Sequence, residues 1–175
     1  EVYDVQSEKR DQVVYNVKKR GATGNGSTDD TAAIQEVIDN IPTGGIVYLP
    51  GGDYRITAPL VLKSDITLLG EGRNDDLTRF NMSDDLEYLF KTDKPTANVL
   101  ISRMKVGPMD LQHLSDSLLD RVRGGPLHLG SDSSNVIIKD SQGVEPVFRG
   151  KNHILLSGYI RTATITGDGG GSHQI

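Results

Sequence analysis

The chain has 175 residues, a formal net charge of -5, 20 glycines and no cysteine, enough for one domain with a sizeable core. Its acidic balance gives no general attraction to nucleic acid or to an anionic membrane, and without cysteine neither a disulfide framework nor a thiolate metal site can form. With 35% hydrophobic and only 5% aromatic residues, the composition suits many short strands packed through Val, Ile and Leu.

Residues 1–12, EVYDVQSEKRDQ, read as an extension or linker. An opening segment follows over residues 13–60. Val13, Val14, Tyr15 and Val17 favour an extended backbone, and Gly21, Gly24 and Gly26 then permit angles closed to other residues. From Thr28 onward Ala33, Ile34, Val37, Ile38 and Ile41 fall on one helical stripe. Ser27 or Thr28 is the expected N-cap, with Asp29 and Asp30 in the first turn, and Pro42 with Gly44-Gly45 ends the helix.

Strand, glycine loop and helix in that order also describe a nucleotide site. Here the fingerprint starting at Gly24-Asn25-Gly26 would need a third glycine where Asp29 stands, and no Gly-Lys-Ser/Thr follows a glycine loop. Two carboxylates occupy the helix start where an anion would sit. The loop is therefore expected to turn the chain, and no cofactor is expected.

The stretches YNVKKRGATGNGSTDDTAAIQEVIDN, GGIVYLPGGDYRI and LVLKSDITLLGEG, within residues 14–72, resemble the opening of the pectate-lyase-like superfamily. Asn25 stands where Asp is commoner in that pattern. The resemblance implies an all-β, right-handed, single-stranded parallel β-helix with an N-terminal capping α-helix, and places no catalytic residue in this segment.

Residues 61–175 are then expected to form the coils. SDITLLG, ANVLISR, SDSLLDR, SNVIIKD and KNHILLS align on Asp65, Asn98, Asp116, Asn135 and Asn152, at intervals of 33, 18, 19 and 17 residues. The first interval has room for two tight coils, one irregular or holding a short helix around FNMSDDLEYLFKTDK. Three places after each anchor, Leu68, Ile101, Leu119, Ile138 and Leu155 make an aliphatic column, the internal stack of a solenoid. Asx anchors tolerate left-handed backbone and bond the turn.

Two places after the anchor, Thr67, Leu100, Leu118, Ile137 and Ile154 form a second column. Strict alternation sends it outward, where it would be the seam of a homotrimer, whereas a bend would place both columns inside; spacing leaves both open. Five places after the anchor, Arg103, Arg121 and Asp140 would stack, allowing an Arg121–Asp140 pair. The start at Glu1 and the end at TGDGGGSHQI lead us to expect a fragment of a longer chain, whose last coil continues into more protein or is covered by a partner.

Chemistry is weakly marked. Asp110, Asp116, Asp120, Asp132, Asp140 and Glu145 offer carboxylates for glycoside hydrolysis, and Arg103, Arg121, Arg123 and Arg149 offer bases for a uronate lyase, but no pair or base is singled out. His113, His128, His153 and His173 each stand alone, so no metal site is expected. The superfamily's pectinase and epimerase signatures are missing from the coil region. Catalytic residues stay unassigned.

Use of the resembled superfamily in phage spikes implies the N-terminal part of a tailspike, tail fibre or neck appendage. Such a part would sit on the virion, attach to host polysaccharide or teichoic acid, and dock to the particle, with possible depolymerase activity in the whole protein. The alternative is a secreted glycoside hydrolase or lyase, cut short. Neither nucleic-acid binding nor membrane insertion is expected.

Overall fold

The computed structural model describes residues 12–72, 77–159 and 164–165; His173 and nearly all of the 1–12 extension lie outside them. The elements run β1 (Val14–Asn16), a 3-10 turn (Val17–Arg20), β2 (Asn25–Asp29), α1 (Thr31–Asn40), β3 (Ile46–Leu49), β4 (Gly52–Ile56), β5 (Leu60–Val61) and β6 (Ile66–Gly70). They continue through β7 (Thr78–Met82), β8 (Phe90–Lys91), β9 (Thr96–Ala97), β10 (Val99–Lys105), β11 (Met109–Asp110) and β12 (Leu114–Arg123). The last are β13 (Pro126–Leu129), β14 (Ser134–Gln142), β15 (Glu145–Phe148), β16 (Ile154–Tyr159) and β17 (Thr164–Ile165).

The main sheet runs β1-β3-β6-β10-β12-β14-β16, with β9 joined to β12; a second runs β17-β15-β13-β11-β8-β5, and a third β2-β4-β7. Every ladder between these strands is parallel. Successive windings therefore lie on one another as a right-handed parallel β-helix.

The aliphatic column is continuous. Ile101 pairs in register with Leu68 and with Leu119, Leu119 with Ile138, and Ile138 with Leu155, and all five are buried. Each anchor has positive φ, from 48° at Asp116 to 61° at Asp65. Side-chain amides link anchors on adjacent windings: Asn98 Nδ2 donates to Asp65 Oδ1 at 2.9 Å, and Asn135 Nδ2 to Asp116 Oδ1 at 2.7 Å. A second left-handed corner falls at Arg103, Arg121 and Asp140 (φ 61°, 52° and 48°). Between the corners the backbone alternates, so Leu100, Leu118, Ile137 and Ile154 point outward and are half-buried. Alternation, and not a bend that turns both columns inside, holds in this segment.

Helix α1 buries Ile34, Val37 and Ile38 and lies along the edge strand β5. The Gln35 amide imitates a strand there: Oε1 accepts from Val61 N at 2.8 Å, and Nε2 donates to Val61 O at 3.1 Å. Lys63 Nζ donates to the carbonyls of Asp39 and Ile41 at the helix end.

Three local expectations are corrected. The helix starts at Thr31 with Asp30 in the N-cap position, not with Ser27 or Thr28, because residues 25–29 are drawn into β2 by pairing with β4. Asp30 does not cap through its side chain. Its buried carboxylate turns back and accepts from Thr23 N (2.6 Å) and Gly24 N (2.9 Å), so the glycine loop holds an anion after all, supplied by its own chain. Finally, the 33-residue interval holds one winding and not two, since Ile66 pairs directly with Val99; β7 and β8 occupy the stretch where an irregular coil or a helix was expected.

Candidate functional site

The outer face of the second sheet gathers polar side chains that are far apart in sequence. Lys91, Asp110 and His128 are register partners on β8, β11 and β13, with Val147 next on β15. Neighbouring parallel strands lie about 4.8 Å apart, so the three form one titratable column up the stack. Their inward neighbours Phe90, Met109 and Leu127 are fully buried. Alternation therefore fixes the column's direction.

Gln112, His128, Leu129, Gly130, Val147 and Arg149 line a cavity of about 170 Å³ beside this column. Gln112 Nε2 donates to Asp110 Oδ2 at 3.2 Å, and Asp110 Oδ1 is buried without a protein partner. Lys91 Nζ is 2.9 Å from Asp93 Oδ1. The Tyr88 ring meets His128 edge-on at 5.6 Å, its hydroxyl oxygen 3.4 Å from Nδ1. A hydrogen bond to the Glu87 carboxylate is the main influence raising the Tyr88 phenol above its ordinary value. The Tyr88 hydroxyl and His128 Nδ1 are in hydrogen-bond reach, with the tautomer of the imidazole deciding which of the two donates.

Where the ends of β10, β12 and β14 lead into the second sheet, Lys105, Arg123, Gln142 and Glu145 border an open groove of about 380 Å³ around Gly124, Gly125, Pro126 and Gly143. Pro126 and Glu145 are paired two residues before His128 and Val147, so groove and cavity are neighbours on one surface.

Of the candidates named from sequence, Asp110, His128 and Arg149 come together, with Arg123 and Glu145 nearby. Asp110 and Glu145 are separated by two strands and two residues, about 12 Å along an ideal sheet, wider than a glycosidase pair. The others fall elsewhere. Asp116 is a corner residue, and Asp132 meets His113 Nδ1 at 2.6 Å on an exposed turn. Asp120 and Arg121 pair with each other at 2.8 Å, Asp140 lies 3.9 Å from Lys139, and Arg103 is an exposed corner.

His153 is structural. It is fully buried and stacked on Phe148. Its Nδ1 accepts from Val136 N and Nε2 meets Ser133 Oγ, both at 3.2 Å. Tyr88, Lys91 and Gln112 are members of the site that sequence reasoning passed over.

Comparisons with known proteins agree with this architecture. The sequence model of the rhamnogalacturonase A/epimerase, pectate lyase-like family matches residues 14–143. Alginate lyase 7 of Azotobacter vinelandii is 44% identical over 70 residues, which is 35% of this chain and 8% of that protein; the chain thus spans a small part of that relative. Among solved structures, the A-module of the Azotobacter vinelandii mannuronan C-5 epimerase AlgE6 superposes with a TM-score of 0.62 at 20% identity, over 86% of this chain and 57% of that one. The pre-mature bacteriophage phi29 gene product 12 does so with a TM-score of 0.70 at 16% identity, over 82% of this chain and 25% of that one.

Proposed function

Because this chain belongs to the rhamnogalacturonase A/epimerase, pectate lyase-like family, we propose that its second-sheet face holds an acidic polysaccharide for a phage tail or neck appendage at the host surface. The observation that carries this is the Lys91–Asp110–His128 column beside the cavity lined by Gln112 and Arg149. Lys91 and Arg149 supply charge for a uronate carboxylate, Arg149 in the planar fork that suits it. Asp110 Oδ1 is an acceptor for a ring hydroxyl, and the edge of Tyr88 offers an apolar surface. The polymer named for the matched lyase, alginate, is a polyuronate, which fits these cations.

The test is binding of the full-length protein to alginate and to a neutral glucan, followed by titration calorimetry. We expect alginate to bind, the neutral polymer not to, and Arg149→Glu to weaken alginate at least tenfold. Equal affinity for the two polymers, or an unaffected R149E, would refute the reading.

The Tyr88–His128 pair favours a second reading, a polysaccharide-degrading enzyme. The His128 imidazole, which lines one cavity with Arg149, is suited to take the C5 proton of a uronate while the cation stabilises the charge developing on its carboxylate. The electrons then form the C4–C5 double bond as the C4–O4 bond breaks, and the departing O4 takes up the proton that the His128 imidazole removed from C5. Absorbance of unsaturated uronides on incubation with alginate, abolished by His128→Ala, is the expected result. Binding without any unsaturated product would remove this reading and leave the first.

A further inference from the structure

On the outer face of the second sheet the outward residues fall on lines that run up the stack. Asp110, His128 and Val147 form the middle line, in register with Lys91 below them. Two residues earlier stand Pro126 and Glu145, which are also register partners. Two residues later stand Gln112, Gly130 and Arg149, which line the cavity together. Neighbouring lines are about 6.6 Å apart along the strands. Before Pro126 the face begins at the groove bordered by Lys105 and Arg123, exposed register partners on β10 and β12.

These positions give the face a direction. A chain following the middle line up the stack meets Lys91, Asp110, His128 and Val147 in turn, one cation and one carboxylate. A chain lying along the strands meets cations at both ends, Lys105 and Arg123 before Pro126 and Arg149 beyond His128. Gly125 and Gly130 are five residues apart, about 16 Å along a strand, which leaves room for several sugars between the ends.

Glycine at 125 keeps this path open. The neighbouring glycines have structural reasons: a Cβ on Gly124 would lie 2.6 Å from Val106 Cγ2, and Gly143 has a φ of 65°. Gly125 has neither. Its φ lies outside the left-handed region, and an added Cβ would meet nothing nearer than Pro108 N at 3.8 Å, an ordinary contact. The residue lines the groove, so the missing side chain leaves space for a ligand.

We propose that the Gly125 groove is a second uronate subsite and that the polymer lies across the windings, with carboxylates at Arg149 and at Lys105 and Arg123. This rests on the acidic-polysaccharide reading of the same face and adds the direction of the chain. Asp110 then lies under its middle, where sugar hydroxyls meet the carboxylate. One chain that occupies both ends makes the second contact intramolecular, so affinity rises with chain length.

Titration calorimetry of the full-length protein with a long alginate oligomer and with an alginate disaccharide tests this. The long oligomer is expected to bind at least about tenfold tighter. Gly125→Trp is expected to remove that gain and to leave disaccharide binding nearly unchanged, which also shows that the variant is folded. Arg123→Glu should act in the same way, whereas Arg149→Glu weakens both ligands. Long-oligomer affinity that resists Gly125→Trp and Arg123→Glu but falls with Arg149→Glu overturns the proposal and leaves the reading beneath it. An affinity that responds to Gly125→Trp and not to Arg149→Glu also overturns it, because the chain then runs up the corner alone. So does an equal loss of both ligands in a Gly125→Trp protein with the wild-type circular dichroism spectrum. A wild-type protein that binds no alginate removes the reading and the proposal together.

Discussion

Asn135 separates two contributions that are usually mixed. The residue is exposed, so replacing it costs no buried area. Its φ is 54°, a region that costs a side chain without local hydrogen bonding roughly 1–2 kcal/mol. Its Nδ2 donates at 2.7 Å to Asp116 Oδ1 on the preceding winding, an exposed charge-assisted bond contributing about 0.5–1 kcal/mol. Asn135→Ala loses both the bond and the tolerance for this φ, about 1.5–3 kcal/mol in all. Asn135→Gly loses the bond but accepts the angle, at the expense of a more flexible unfolded chain, about 1–2 kcal/mol in all. Urea unfolding followed by circular dichroism reads the difference as a lower midpoint for N135A than for N135G at equal slope. Equal midpoints would show that the left-handed angle is not what selects Asx at the corner.

Three further outcomes are expected. Ile138→Ala removes part of the buried stack and should cost about 2–5 kcal/mol, whereas Ile137→Ala, one residue away but facing outward, should cost under about 1.5 kcal/mol; chemical denaturation of both variants checks the ratio. His153→Ala deprives Ser133 Oγ and Val136 N of a partner and opens the core beside Phe148, and should cost about 3–5 kcal/mol by the same measurement. Hydrogen bonds from the Thr31 and Thr57 hydroxyls hold the Asp29 carboxyl below its ordinary range. Its folded value thus lies under the unfolded one, so its contribution is complete above about pH 4 and is lost as pH falls through the folded value. The wild-type midpoint should drop there relative to Asp29→Asn, whose midpoint lacks this component.

The stack was legible because in-register parallel strands demand the same residue class at the same place on every winding, and the corner demands Asx. Leu68, Ile101, Leu119, Ile138 and Leu155 therefore announce themselves whatever lies between them. The polar column on the second sheet obeys no such count. Lys91, Asp110, His128 and Val147 precede their next anchors by seven, six, seven and five residues, because the turns between sheets differ in length. Strands as short as Phe90–Lys91 and Met109–Asp110 carry no alternation to read. Asp30 misled for a related reason: an acidic residue at a helix start reads as a first-turn charge that favours the helix dipole, and only the fold brings Thr23 and Gly24 within its reach.

The winding between Asp65 and Asn98 has consequences for engineering. It carries roughly twice the chain of the windings that follow it, yet Leu68 still meets Ile101, and part of the added length, β7, is itself paired on β4, so the spine is undisturbed. Turns of this solenoid can accept grafted loops, provided the corners stay untouched. Recognition could then be rewritten on one flank while the chassis beneath it is kept.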